Sequence, residues 1–257
     1  MTEKVRMHEG RVILVTGASR GIGESVARCL ASESATVLLV ARSSIELERV
    51  AREIVADGGL AVPMTADIGE MGDIDRIVHQ VRDEFGQLDG LVNCAGVLPS
   101  AHRIEKVSRE DFDRVLRVNL LAAWYLAGSL KELFTTGAAI VNVASTAAFY
   151  PSIGLGPYCV SKAGLVMLTR VMALEWASAG IRVLAIAPGK VSTEMVEPIL
   201  DFLGTKGLPV NPMQRVADPK EIADLVSFLL GSRASYMTGS IVSVDGGELV
   251  GIPSGIY

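Results

Sequence analysis

The sequence predicts an α/β fold built as one doubly wound parallel sheet of seven strands with helices on both faces. Two observations carry this. Strand-like and helix-like segments alternate along the 257 residues. The strand-like runs are apolar on both faces, as strands are when helices cover both sides of the sheet. Strands separated by helices form βαβ units, and these wind into a single sheet. No repeat, low-complexity stretch or linker interrupts the alternation, so a single domain is expected over residues 1–257.

The elements follow in order. "RVILVTG" is a β-branched strand ending at Gly17, and "GESVARCLAS" has helical spacing. "ATVLLVAR" is a second strand. "SSIELERVAREIVADG" opens on residues that cap helices and closes near Gly58, as helices do. "LAVPMTAD" and "LDGLVNCAG" are further strands, with a helix from about Met71 to Phe85 between them. "AAIVNVAS", "IRVLAIAPG" and "SIVSVDGG" complete the seven. The stretch of about 196–216, broken by prolines and glycines, is expected to be irregular: a mobile substrate flap at the end of the sheet where ligands bind.

Composition narrows the function. The chain is 49% hydrophobic but only 5% aromatic, so its core is aliphatic. A net charge of −5 without a charge block argues against a nucleic-acid partner or an anionic membrane surface. No apolar stretch reaches the ~18 residues of a membrane span. "MTEKVRMHEGRVILVTG" lacks the long apolar core and cleavage site of a secretion signal. Three cysteines, odd in number and without a CxxC, fit a reduced cytoplasmic setting, and no metal site is expected.

Gly17, Gly21 and Gly23 lie between the first strand and the first helix. A backbone without Cβ can approach a phosphate, and helix N-terminal N–H groups bind the anion. A plain tight turn explains glycines equally well, and the spacing is not G-x-G-x-x-G. An acidic residue expected about twenty positions on, for an adenosine ribose, is absent from "LLVARSS". Arg42 stands there instead. With Arg20 it suits a 2′-phosphate, which a carboxylate would repel. This favours NADP(H); Ala41, in the acidic position, does not exclude NAD(H). Two solvated surface arginines are the competing reading.

Tyr158 and Lys162 are four residues apart, so a helix puts them on one face. An ammonium beside a phenol lowers its pKa and makes it a proton donor and acceptor for carbonyl–alcohol interconversion. Such pairs are common on helix surfaces. Ser145, thirteen positions earlier at the end of a strand, shifts the balance toward a site.

With "TGASRGIG", "NCAG" (Asn93 to Gly96), Asn119 in "RVNL", Ser145, "YCVSK" and "PG" (Pro188, Gly189) in this order, the sequence resembles the short-chain dehydrogenase/reductase family along nearly its whole length. The resemblance implies an NAD(P)-dependent oxidoreductase on a single Rossmann-like domain, assembled as a homotetramer. It makes Tyr158 the general acid and base. Lys162 would bond the nicotinamide ribose, Ser145 the substrate oxygen, and Asn119 a water in a proton relay through a helix kink; otherwise Asn119 is a helix cap. Asp67 would bond the adenine, or else cap a helix. Thr193 would meet the nicotinamide carboxamide. The implied cofactor site comprises Gly17, Ser19, Arg20, Gly21, Ile22, Gly23, Arg42, Ser43, Asp67, Ile68, Asn93, Ala95, Gly96, Tyr158, Lys162, Pro188, Gly189, Val191 and Thr193. Cys94 departs from the family's second asparagine; with Cys159 it reads as a buried inert thiol.

The substrate is expected to be a small-molecule carbonyl or alcohol. A 3-oxoacyl-carrier-protein reductase is the narrower alternative, and a cofactor-sensing protein without turnover the alternative from another class. Thr135, Thr136 and Ala179 stand where basic residues would steer an acidic carrier. Leu98, Thr146, Ala147, Phe149, Tyr150, Leu155, Lys190 and Met195 are candidate pocket residues, with Lys190 the one charge. Segments Val118 to Phe134 and Tyr158 to Ala179 carry apolar residues beyond one sheet face, among them Trp124, Leu126, Met167, Met172 and Trp176. These are the expected subunit contacts, and ordinary core is the alternative.

Overall fold

The computed structural model describes residues 6–206 and 210–251. Its strands are β1 (Val12–Thr16), β2 (Thr36–Ala41), β3 (Leu60–Thr65), β4 (Leu88–Asn93), β5 (Phe134–Val143), β6 (Arg182–Pro188) and β7 (Ile241–Val244). They form one sheet in the order β3-β2-β1-β4-β5-β6-β7. Every pairing is parallel. The chain runs outward from β1 to β3, then from β4 to β7 on the other side. The β1–β4 boundary is therefore the switch point, and its carboxyl end is where such sheets bind ligands.

The helices are α1 (Gly21–Ser32), α2 (Ser44–Ala56), α3 (Met71–Glu84), α4 (Arg109–Leu116), α5 (Ala122–Ser129), α6 (Gly156–Trp176), α7 (Glu197–Lys206) and α8 (Pro219–Leu230). The period of two in each strand sends neighbours to opposite cores. Ile13 and Val15 pack with α1, α2 and α8, while Leu14 packs with α3, α5 and α6. The helices answer with stripes at helical spacing. In α1 these are Gly23, Val26, Ala27, Leu30 and Ala31, and in α3 Ile74, Ile77, Val78 and Val81. β3 is an edge strand, so Pro63 removes no needed ladder bond there.

Two expectations change. The 196–216 stretch is helical over its first half, as α7, because Pro198 falls in the first turn, where its missing N–H is no loss. Residues 207–209 lie outside the described residues. The five apolar residues proposed for subunit contact divide: Leu126 and Met172 are buried and Trp176 packs against the core, while Trp124 and Met167 are about half exposed. Among the described residues no helix is long and apolar enough to cross a membrane.

A polar cluster closes the amino end of the sheet. His8 is fully buried; its Nε2 lies 3.0 Å from Ser227 Oγ and 3.4 Å from Glu33 Oε2, and Arg11 Nη1 is 3.1 Å from its Nδ1. Arg11 also donates to the carbonyls of Leu230 and Asp89. Burial, reinforced by the Arg11 guanidinium and opposed by the Ser227 hydrogen bond, pushes His8 down to about 4. The folded chain thus binds this proton more weakly than the unfolded chain. The resulting stability is present above the unfolded pKa of about 6.5 and is lost as pH falls toward about 4. Urea titrations should show a loss of up to about 3 kcal/mol across that window beyond what the carboxylates cause, and His8→Gln should flatten it. An unchanged pH slope in His8→Gln would contradict this account.

Candidate active site

The first turn is packed against β4 before any ligand is considered. Gly17 has φ of +70°, and a Cβ on it would stand 2.9 Å from Ala95 Cα. A Cβ on Gly23 would stand 2.2 Å from the Gly17 carbonyl oxygen. The protein's own packing therefore requires both glycines. The helix start speaks more directly to an anion. Ser43, Ser108 and Asp218 cap α2, α4 and α8, while α1, like α3, α5 and α6, begins without a side-chain cap. Its first-turn N–H groups and dipole face the switch point, a setting that suits a pyrophosphate. Ser19 offers its carbonyl to Arg49, which also grips Glu24, Glu46 and Glu53. Ile22 packs against the core.

The ends of β2 and β3 flank this turn. Ala18 N donates to Val40 O, which brings Arg42 alongside. Arg42 is exposed, and its Nη1 lies 4.0 Å from Asp67 Oδ2. Arg20 instead pairs with Glu194 at 2.8 Å, both side chains about 70% exposed. Ser43 caps α2, accepting from Glu46 N. Asp67 does not cap a helix: it accepts from Gly69 N at 2.8 Å, and α3 starts four residues later. Ile68 packs on the second core.

At the end of β4, Thr16 Oγ1 accepts from Cys94 N and Ala95 N, at 3.0 and 3.2 Å. The Asn93 side chain is turned away from any ligand: it is buried and donates to Asn142 Oδ1 at 2.8 Å. Asn142 in turn donates to Thr169. Only the Asn93 main chain faces the site end. Beyond it, a Cβ on Gly96 would stand 3.4 Å from Asn119 Oδ1 and 3.6 Å from Lys162 Nζ.

Asn119 sits in a widened, π-type turn, Arg117–Leu121, between α4 and α5. It is no cap. Oδ1 accepts from Val97 N at 2.8 Å, and Nδ2 donates to Val97 O and Ser161 Oγ. Both of its amide donors are spent on the protein, so only the main chain freed by the widened turn has capacity for a water.

Ser145 ends the loop after β5; its hydroxyl accepts from Ala147 N at 3.1 Å and is hydrogen-bonded to the Tyr158 phenol. α6 carries Tyr158 and Lys162 one turn apart, the ammonium 5.6 Å from the ring centroid. Lys162 is buried and donates to Val143 O at 2.8 Å; desolvation brings it down to about 8. Tyr158 goes the other way. Burial pushes the phenol up to about 12, with Ser145 pulling it down and the Cys159 and Cys94 thiols pushing it up. Lys162 is not among the groups that set this shift. At neutral pH the group presents a protonated phenol hydrogen-bonded to the Ser145 hydroxyl. The three cysteines are half-buried, and that desolvation holds Cys29 and Cys94 up at about 12.

Pro188 and Gly189 end β6. Val191 is buried in a bridge to Ala217, and Thr193 Oγ1 donates to Val191 O. Lys190 does not point to solvent: it is ion-paired with Glu248, at 16% and 18% exposure. Glu248, Thr16, Arg49 and Asn142 escaped the sequence reading, since each acts on partners distant in the chain. Phe149 and Tyr150 line a hollow of about 680 Å³ with Arg170, Ile241 and Leu249; Ser145, Tyr158 and Lys162 do not line it. Thr146 is buried, Leu98, Ala147 and Leu155 are half-buried, and Met195 is exposed. Thr135 and Thr136 lie at the amino end of β5, Thr135 bonded to Asp89 and Thr136 against Gly180, beside Ala179. They are at the far end of the sheet from Tyr158, so their lack of charge says nothing about the entrance beside it.

Residues 17–248 match a family model described as enoyl-(acyl carrier protein) reductase. The chain is 36% identical over 258 residues to an uncharacterized short-chain type dehydrogenase/reductase of Sinorhizobium fredii, covering 98% of this chain. It spans about half of that relative, 46% of its length. It is 32% identical over 244 residues to the 3-oxoacyl-acyl-carrier-protein reductase of Thermotoga maritima, covering 94% of this chain and 99% of that protein. It is also similar to the solved structure of the angucycline C-6 ketoreductase LanV with bound NADP. There the TM-score is 0.88 at 30% identity, covering 98% of this chain and 100% of that one. A family model matching most of the chain, and relatives above 30% identity along nearly all of it, agree with the sheet order: the chain is an oxidoreductase enzyme of the short-chain dehydrogenase/reductase family, on a single Rossmann-fold domain.

Proposed function

We propose that the enzyme interconverts a small-molecule carbonyl and a secondary alcohol with NADP(H), and that Tyr158 is its general acid and base. The observation that carries this is the meeting of Ser145, Tyr158 and Lys162 at the carboxyl end of β5, across the switch point from the uncapped start of α1. When bound there, the nicotinamide supplies or accepts the hydride. The protein's groups handle the proton. Ser145, its acceptor side taken by Ala147 N, donates to the substrate oxygen. Tyr158, protonated at neutral pH, gives its proton to that oxygen in reduction and recovers one in oxidation. Lys162 bonds the adjoining ribose, and the Asn119 main chain holds the next water of the relay. Pro188, Gly189, Val191 and Thr193 form the wall for the nicotinamide, and the segment around α7 covers the substrate. The proposed location is the cytoplasm, on three unpaired cysteines.

A 3-oxoacyl-carrier-protein reductase is the second reading, supported by the Thermotoga relative. A panel of free ketones, alcohols and carrier-bound 3-oxoacyl thioesters, followed by nicotinamide absorbance, separates the two. Turnover of any of them excludes a sensor without catalysis.

Tyr158→Phe keeps the ring and removes the proton. It should lower kcat by about 10²–10⁴-fold with cofactor affinity near the parent's. Activity within a few-fold of the parent would remove Tyr158 from this role.

The cofactor preference rests on Arg42. Its pairing with Asp67 is long and solvated, so little is lost when a phosphate of nearly two charges takes it over. Hydrogen bonds to a charged group are worth about 1.5–3 kcal/mol, which makes Arg42→Ala expected to cut the NADP/NAD ratio of kcat/KM by about tenfold to a hundredfold. High salt should erode the parent's preference. A parent that favours NAD(H), or an unchanged ratio in the variant, contradicts the assignment.

A homotetramer is proposed from the outer faces of α5 and α6, where Trp124, Val160, Met167, Val171 and Leu174 are exposed together. Light scattering should give four times the 27.2 kDa chain mass. Trp124→Glu with Met167→Glu should dissociate it, and a stable parent monomer at micromolar concentration would rule it out.

A further inference from the structure

Three loops meet at one carboxylate outside the Ser145, Tyr158 and Lys162 group. Glu248 lies in the turn after β7. Its Oε1 pairs with Lys190 Nζ, and its Oε2 accepts from Thr146 Oγ1 at 3.5 Å. Lys190 directly follows Pro188–Gly189, and Thr146 directly follows Ser145. The approach is close, since a Cβ on Gly189 would stand 2.9 Å from Glu248 Oε2.

The turn that carries Glu248 is itself fixed. Asp245 accepts from Gly247 N and Leu249 N, both at 2.9 Å, and Gly246 O accepts from Met213 N. Lys190 O accepts from Ala217 N, so the lysine is held at its backbone as well as its tip.

Two ion pairs tie down the loop after β6, and burial decides which one holds it. Arg20–Glu194 is about 70% exposed, and such pairs contribute little. Lys190–Glu248 is over four-fifths buried. Taking away one member of a buried pair leaves the other charged and unpaired, and the segment bearing it must move to recover water.

We infer that Glu248 is a positioning residue: through Lys190 and Thr146 it holds the Pro188–Thr193 wall in register with Ser145, and so sets the nicotinamide end of the cofactor against the substrate oxygen. The inference rests on the proposed role of that wall.

The test compares two ligands that differ only at the affected end: NADP⁺, and 2′-phospho-ADP-ribose, which lacks the nicotinamide. Both are titrated by calorimetry into the parent, Glu248→Ala, Glu248→Gln and the charge-swapped Lys190→Glu/Glu248→Lys protein, with melting temperatures recorded. In Glu248→Ala, NADP⁺ affinity and kcat should each fall on the order of tenfold, because small misplacements at a reacting centre are costly. Affinity for 2′-phospho-ADP-ribose should stay within about twofold of the parent's, a separation that general loosening of the fold would not produce. Glu248→Gln, which keeps an acceptor for Thr146, should fall between, and the swapped pair should recover part of the loss. Equal weakening of both ligands, or no change in either, overturns the inference while leaving the functional reading intact. Should Glu248→Ala fail to fold, the same comparison in Glu248→Gln decides. A parent that binds neither ligand overturns the functional reading and this inference with it.

Discussion

The site depends first on the contact between the β1–α1 turn and the end of β4. Gly17 lies against the Ala95 backbone, and the neighbouring Thr16 hydroxyl accepts from Cys94 N and Ala95 N. From there a polar path crosses the carboxyl edge of the sheet. Val97 exchanges two hydrogen bonds with Asn119, Asn119 donates to Ser161, and Ser161 donates to the Tyr158 carbonyl. The glycine-turn end and the Tyr158 end of the candidate site are parts of one hydrogen-bonded edge. A side chain at position 17 would separate the two strand ends and shift everything downstream, since a close-packed interior transmits strain rather than absorbing it.

The chemistry sits on an opposition of two burial effects. Taking Tyr158 out of water disfavours its anion and raises its pKa, while taking Lys162 out of water disfavours its cation and lowers its pKa. Both shifts favour the uncharged form and carry the two values apart, so burial keeps Tyr158 a protonated donor at neutral pH. Ser145 opposes this by stabilising the phenolate, and the nearby thiols reinforce it. Cys94 and Cys159 therefore belong to the electrostatics of the site, and burial holds the Cys94 thiol up at about 12.

Charge pairs around the site divide by exposure. Arg20–Glu194 and Arg42–Asp67 lie in solvent and are available to rearrange around an anion. Lys190–Glu248 is buried between loops and is suited to holding them. The same chemical pair thus serves adaptable recognition in one place and fixed geometry in another, and the dielectric around it makes the difference.

The alternation of elements, the seven strands and the motif positions were legible in the sequence because they rest on local rules: side-chain period, helix caps and glycine turns. Tyr158 and Lys162 were legible as one face because a single helix carries both. The tertiary structure decided what spacing does not contain. It spent Asn93 on Asn142, placed Thr135 and Thr136 at the amino end of β5, and split the apolar residues of α5 and α6 between core and surface. It also brought Glu248 to Thr146, 102 residues away. Periodicity shows that a side chain faces inward, but the partner it meets there depends on which strands are neighbours. That order is set by the packing of the whole sheet.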